Sequence, residues 1–373
     1  MRTVQITMLG SLLGCLSLLG MPADSLAEVS GPGPVRPVVE SGISSYMGKA
    51  GVSGAFVVAG SDTLLPIVAK IASAFRQYQA DIKIAVQGGG TDAALMGFIQ
   101  DQSTIRRGDG SPKGGHQVSG GIALLASSRA LTDAERKDFA SRYGYDVTEI
   151  PIALDAVAVY VNRQNPIAGL SLEQLDAMFS RDRKRGLPEE IKTWGQAGAG
   201  NEWISQPIHL YGQDKRSGTR TFFIQEALLK GEMRTDVREE SGPASEILAL
   251  SRDVLGIGYA GIGFQASTVR ILPLAEKTGM PFVAPSIETA ANGTYPLSRS
   301  LYLYAKKDSK GELDPAVLEF LKFANSREGQ EMVAKAGAYP LPAHQVAKNL
   351  HALTGAVTSA MTTEGMQLAA GTR

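Results

Sequence analysis

Short apolar runs in this chain end in small or hydroxyl-bearing residues, and each ending leads into apolar positions at helical spacing. "AFVVA" (Ala55 to Ala59) is followed by "GSDT" (Gly60 to Thr63), after which Leu64, Ile67, Val68, Ile71, Ala72 and Phe75 repeat with a helical period through Gln79. "IKIAV" (Ile82 to Val86) gives way to "QGGGTDAALMGFI", a glycine turn opening a second helix. "GIALLASS" (Gly121 to Ser128) is a third strand, and "TDAE" (Thr132 to Glu135) after it has the form of a capping box. Strands alternating with helices predict a parallel α/β sheet, in which ligands sit beyond the carboxyl ends of the strands.

The pattern continues through "IALDAVAVYVN" (Ile152 to Asn162), a strand long enough to carry the chain across a hinge. A second capping box, Ser171 with Gln174, opens the helix "SLEQLDAMF". "IHLYG" then precedes the helix start "SGTRTFFIQEALLKG", and "GIGYAGIGF" reads as a glycine-dense strand and turn. "SLYLYAKK" is a return strand, followed by two helices within "DPAVLEFLKFANSREGQEMVAKAG". "QDQSTIRRGDGSPKGGHQVSGG" is polar and glycine-rich and reads as a mobile insertion. The Thr-, Ala- and Gly-rich tail, residues 351–373, is expected to be disordered.

Length and charge narrow the class. The 373 residues suit about two domains. Lys+Arg and Asp+Glu number 37 each, so no global field favours nucleic acid or a membrane surface. Arg2 precedes an apolar run from Val4 to Met21, and Ser25 and Ala27 fit a cleavage site. Residues 1–27 therefore read as a secretory signal, followed by a flexible Gly/Pro/Ser-rich leader at 28–50. Cys15 in "SLLGC" offers a lipoprotein anchor as the alternative; cleavage after Ala27 leaves a mature chain without cysteine, hence without disulfides or thiolate chemistry. The chain is expected in the periplasm or secreted.

Three segments share one design of strand, small residues and helix: Gly60 to Thr63, Gly88 to Thr91, and Ser217 to Thr219. Helix N-termini carry unpaired N–H groups and about half a positive charge, which attracts anions. Each segment taken alone reads first as an ordinary N-cap, and only the three together make the anion reading its equal. Composition leaves the two readings open.

The ordered set "GSDT", "GGGT", "ASSR" (Ala126 to Arg129), "IALDAVAVYVNRQNPIAGLSLEQL", "TWGQ" and "SGT" resembles the phosphate-binding proteins of bacterial Pst-type ABC importers from about Ala55 to Leu341. The resemblance implies a two-lobed periplasmic binding protein fold of type II, with two mixed or parallel sheets joined by hinge strands. It places lobe I at 51–151 and 268–350 and lobe II at 152–267. It also implies a phosphate site built from Ser61, Asp62, Thr63 and the Leu64 N–H, from Gly90 and Thr91, from Ser128 and Arg129, and from Ser217, Gly218 and Thr219. The partners it implies are inorganic phosphate and an ABC permease complex in the membrane, with a monomeric receptor, no cofactor and no enzymatic activity. A receptor for another tetrahedral oxyanion, or an enzyme or adhesion protein reusing the shell, is the alternative.

Charge logic adds to this. Phosphate keeps a proton near neutral pH and sulfate does not, so a buried carboxylate discriminates against sulfate. Asp62, Asp92 and Asp214 are candidates, with Asp62 preferred; Arg129 would offset the negative charge as a planar donor. Two positions depart from the family pattern. Gln213 stands where relatives commonly carry arginine, and Thr91-Asp92 stands where they run Ser-Gly, leaving Lys215, Arg216 and Arg220 as replacement cations. The four histidines, His116, His209, His344 and His351, show no metal-ligand spacing, and neither a nucleophile elbow nor a phosphate-loop lysine appears.

Overall fold

The computed structural model describes residues 37–101 and 121–355. The signal segment with Cys15, the body of the polar insertion and the tail beyond Gly355 lie outside the described residues.

The first lobe follows the predicted alternation: β1 (Gly54–Gly60), α1 (Leu65–Phe75), β2 (Ile82–Gln87), α2 (Thr91–Gln100), β3 (Ile122–Ser127) and α3 (Asp133–Tyr143). β1 pairs in parallel with both β2 and β3. The Thr132–Glu135 capping box opens α3, with the Glu135 amide donating to Thr132 Oγ1 at 3.3 Å and the Thr132 amide to Glu135 Oε2 at 2.7 Å.

β4 (Thr148–Asn162) runs 15 residues and belongs to both lobes. Its first half pairs with β11 (Ser298–Ala305), which in turn pairs with β3, all antiparallel. Its second half pairs with the second lobe, made of β5 (Leu170–Ser171), α4 (Leu172–Phe179), β6 (His209–Gln213), α5 (Gly218–Glu226), β7 (Arg238–Glu240), α6 (Pro243–Arg252), β8 (Gly256–Gly261), β9 (Val269–Leu272), β10 (Leu274–Ala275) and α7 (Ile287–Ala291). The strand order β2-β1-β3-β11-β4-β8-β6-β7 is continuous because the two sheets share β4. Alanines and valines, with Tyr160 among them, let the strand pass through the interior between Ala156 and Val161, where all six residues are essentially buried.

Two main cores flank the crossing. One gathers Phe56, Val68, Phe75, Leu303 and Phe320; the other gathers Tyr160, Phe179, Trp194, Phe223 and Tyr259. Val269, Leu272, Leu274, Tyr295 and Leu297 pack in the second core. By core membership the return to the first lobe lies at β11, about thirty residues beyond the expected position 268.

The leader is tied down where it is described. Tyr46 sets its ring edge-on to Phe323 at 5.2 Å and donates to Glu319 Oε2 at 2.7 Å, and Ile43 packs with Leu341 and Val346. Apolar contact at those two residues anchors a segment whose composition otherwise favours flexibility. α8 (Pro315–Ala324) and α9 (Arg327–Lys335) match the two expected helices. An unforeseen α10 (Ala343–Thr354) continues past Leu350, held by Asn349 donating to Pro151 O and Asn325 Oδ1.

Candidate functional site

The three sequence segments converge where the lobes meet. Thr63, just before α1, hydrogen-bonds through its hydroxyl to the Thr219 hydroxyl in the first turn of α5, at 3.1 Å. Thr91 begins α2, and its Oγ1 lies 3.3 Å from Ser128 Oγ at the end of β3 while accepting from the Ser128 amide. A methyl group on Gly218 would stand 2.5 Å from Thr91 Oγ1 and 2.8 Å from Ser128 Oγ. Thr63, Thr91, Ser128 and Thr219, all buried, thus come together at the lobe boundary, at the starts of α1, α2 and α5 and the end of β3.

Several of the expected residues hold the loops instead. Ser61 Oγ accepts from the Thr63 amide at 3.1 Å. The Leu64 amide donates to Ser61 O, so the N–H expected to reach a ligand closes the first turn of the helix. Gly90, at φ +95°, donates to Gly60 O, and a side chain there would strike Arg216 O. Ser217 caps α5, accepting from the Thr219 and Arg220 amides and donating to Gln213 Oε1 at 2.6 Å.

Asp62 Oδ1 accepts from the Gly89 amide at 2.8 Å and joins the first two loops. Burial pushes its carboxyl up from the usual range, against the Gly89 N–H and the nearby Arg216 charge. Asp214 is instead engaged by Arg216, with Nη2 donating to Oδ2 at 2.5 Å.

Arg129 departs most from its expected role. Its Nε and Nη2 donate to Asp92 Oδ1, its Nη1 and Nη2 to Glu135, and its Nη1 also to Ala130 O. Five contacts occupy all five guanidinium N–H groups, so none remains for a ligand. Burial alone would lower its pKa, but Glu135 and Asp92 hold it above the ordinary arginine value. Asp92, the departure after the glycine triplet, is the reason. Its other oxygen accepts from Thr221 on α5 at 2.6 Å, which makes Asp92 an interlobe tie.

Sequence reasoning missed Asp155 and Arg299, register partners on β4 and β11. Both are buried, and Arg299 Nε donates to Asp155 Oδ2 at 2.9 Å. A charge inside an otherwise apolar strand was the available signal.

The comparisons with known proteins fit this geometry. The PBP superfamily domain matches residues 47–328. The phosphate-binding protein PstS of Pseudomonas aeruginosa PAO1 is 36% identical over 315 residues, which is 84% of this chain and 92% of that protein. The chain belongs to the PstS family of the PBP superfamily.

More distant members share the shell. PstS of Staphylococcus saprophyticus is 27% identical over 76% of this chain and 79% of its own. The crystal structure of an ABC-type phosphate transport receptor from Vibrio cholerae superimposes with a TM-score of 0.56 at 20% identity, covering 77% of this chain and all of that one. A phosphate-binding protein of Stenotrophomonas maltophilia gives 0.55 at 13% identity, over 80% and 93%. At those identities the two structures speak for the fold. Among the described residues no cluster of metal-ligating side chains occurs, and no helix is long and apolar enough to cross a membrane.

Proposed function

We propose that this PstS-family chain captures inorganic phosphate between its two lobes and delivers it to an ABC importer, as a secreted binding protein without enzymatic activity. The carrying observation is the meeting of Thr63, Thr91, Ser128 and Thr219 from three helix starts and one strand end. Uncommitted hydroxyl capacity and N-terminal dipoles from both lobes suit a small tetrahedral oxyanion that needs donors all round. Hydrogen bonds to a charged group contribute roughly 1.5–3 kcal/mol each, so six to eight of them give about 10–20 kcal/mol gross. Association costs take about half, which leaves about 5–10 kcal/mol, enough at its upper end for micromolar or tighter binding.

In this reading Asp62 is the acceptor for the proton that phosphate keeps. Its raised pKa follows from burial, and Gly89 uses only one of its oxygens. Calorimetric titration of the anion-stripped chain with phosphate and then sulfate tests both parts. Tight phosphate binding with weak sulfate binding is expected, and Asp62→Asn is expected to narrow the gap between them. A chain that binds neither anion would refute the reading.

A further inference from the structure

Arg299 stands apart from the other arginines around these loops. Arg129 is fully committed, and Arg216 and Arg220 pair with Asp214 and Glu239. Arg299 is buried, its side chain only 2% exposed, and its Nε is engaged by Asp155. Yet neither Nη1 nor Nη2 finds a hydrogen-bond partner among the described residues. Nη2 approaches Asp155 Oδ2 to 2.7 Å, but its N–H bonds are turned away from that oxygen.

The direction in which this guanidinium lies follows from its neighbours. Asp155 and Arg299 are register partners, so both side chains leave the sheet on one face. Above Arg299, at 5.3 Å, sits the ring of Phe222 on α5. Phe222 follows Thr219 by three residues and therefore shares its side of the helix. Asp155 in turn lines a cavity of about 120 Å³ together with Thr63. A methyl group on Gly261 would meet Thr63 Cγ2 at 2.9 Å and Asp155 Oδ2 at 3.1 Å, so both side chains border the same glycine. Thr63, Thr219, Asp155 and Arg299 thus form one contiguous patch under the joint between α1 and α5.

We infer that Arg299 is an anion-binding residue of this site, its two Nη groups donating to the oxyanion that Thr63 and Thr219 hold. The inference rests on the oxyanion reading above. A buried guanidinium whose Nη1 and Nη2 find no hydrogen-bond acceptor is costly unless one arrives, and an oxyanion supplies several. Asp155 orients the group through Nε and Ile262 fixes Asp155, its amide donating to Oδ1 at 3.1 Å. The position also explains how the site manages without a guanidinium at Gln213. Because β4 and β11 are both crossing strands, the anion would be sensed at the hinge itself.

A purely structural ion pair between crossing strands would look similar, and binding data separate the two. Calorimetry with sodium phosphate, sodium sulfate and sodium arsenate would compare the wild-type chain, Asp155→Asn, and the paired replacement Asp155→Leu with Arg299→Leu. An apolar pair preserves a core that a lone buried charge would disrupt. We expect the paired replacement to bind phosphate at least tenfold more weakly. Asp155→Asn removes the competing carboxylate and is expected to bind phosphate severalfold more tightly. Wild-type phosphate affinity in the folded paired variant would reduce Arg299 to a strut. Should that variant not fold, unchanged or weaker binding by Asp155→Asn would overturn the inference. A wild type that binds sulfate but not phosphate, with the same dependence on the pair, refutes the phosphate reading and leaves Arg299 in place. Binding of none of the three anions refutes both.

Discussion

Thr63 Oγ1 and Thr219 Oγ1 are hydrogen bonded at 3.1 Å although 156 residues separate them, one at the mouth of each lobe. A bond between two hydroxyls is weak in net terms and easily exchanged for bonds to a charged acceptor. The contact therefore holds the donors in register with each other without committing them.

Replacing either hydroxyl by a methyl group should weaken phosphate binding at least tenfold, the loss expected for one charge-assisted bond worth about 1.5–3 kcal/mol. Thr63→Val and Thr219→Val keep the branched shape, so packing is spared. Titration of both single variants and the double variant checks this. Two hydroxyls in direct contact that serve one anion, as proposed, should show a double loss that differs from the sum of the single losses.

Gly218 tests closure separately from chemistry. A methyl group there would meet Thr91 Oγ1 at 2.5 Å and Ser128 Oγ at 2.8 Å, both across the lobe boundary. Gly218 opens α5, where alanine is the better helix former. Gly218→Ala should therefore leave the unfolding midpoint unchanged or raise it, yet hold the lobes apart. Small-angle scattering at saturating phosphate should show contraction in the wild type and none in the variant. Equal contraction in both would mean that the loops yield.

Arg129 should matter for folding more than for binding. Its side chain is only 3% exposed, and removing it leaves Asp92 and Glu135 without their shared partner. Arg129→Gln is expected to cost about 3 kcal/mol in urea unfolding, the lower end for breaking a buried pair because both carboxylates reach solvent. Its effect on phosphate affinity should be smaller than that of Thr219→Val, and a larger effect would return Arg129 to the site.

These contrasts show what the sequence could carry. Capping boxes at Thr132–Glu135 and Ser171–Gln174 are local signals, and the structure forms both. The helix starts at Thr63, Thr91 and Ser217 were legible for the same reason, since strand, turn and helix lie within a few residues. Which acceptor captures a guanidinium is decided by tertiary distance. Arg129 looked like a donor beside "ASS", but Asp92 from α2 and Glu135 from α3 reach it first. Asp155 and Arg299 are 144 residues apart, and only the register of β4 on β11 brings them together. Spacing within either strand could not reveal it. Core membership of residues 269–297 likewise depends on β9 folding back onto β4.

Gln213 and Glu246 set the last prediction. Glu246 is fully buried, accepts from the Tyr259 amide at 2.7 Å and from Gln213 Nε2 at 3.1 Å, and forms no ion pair among the described residues. Burial pushes its carboxyl up to about 8 from about 4.5. An acid raised in the folded state stabilises that state while it stays protonated. The contribution is complete below about pH 4.5 and is lost progressively as pH rises to about 8. Gln213→Arg would place a guanidinium against this carboxylate and beside the Ser217 cap, since Gln213 already joins the two. The variant should lower the Glu246 pKa, flatten the dependence of the unfolding midpoint between pH 5 and 8, and tighten phosphate binding about tenfold through the added charge near α5. Thermal unfolding across that pH range and one titration at pH 7 decide it. A flattened profile without tighter binding would confine Gln213 to the support of lobe II. Tighter binding with the wild-type pH profile would mean that the new cation reaches the anion without pairing with Glu246.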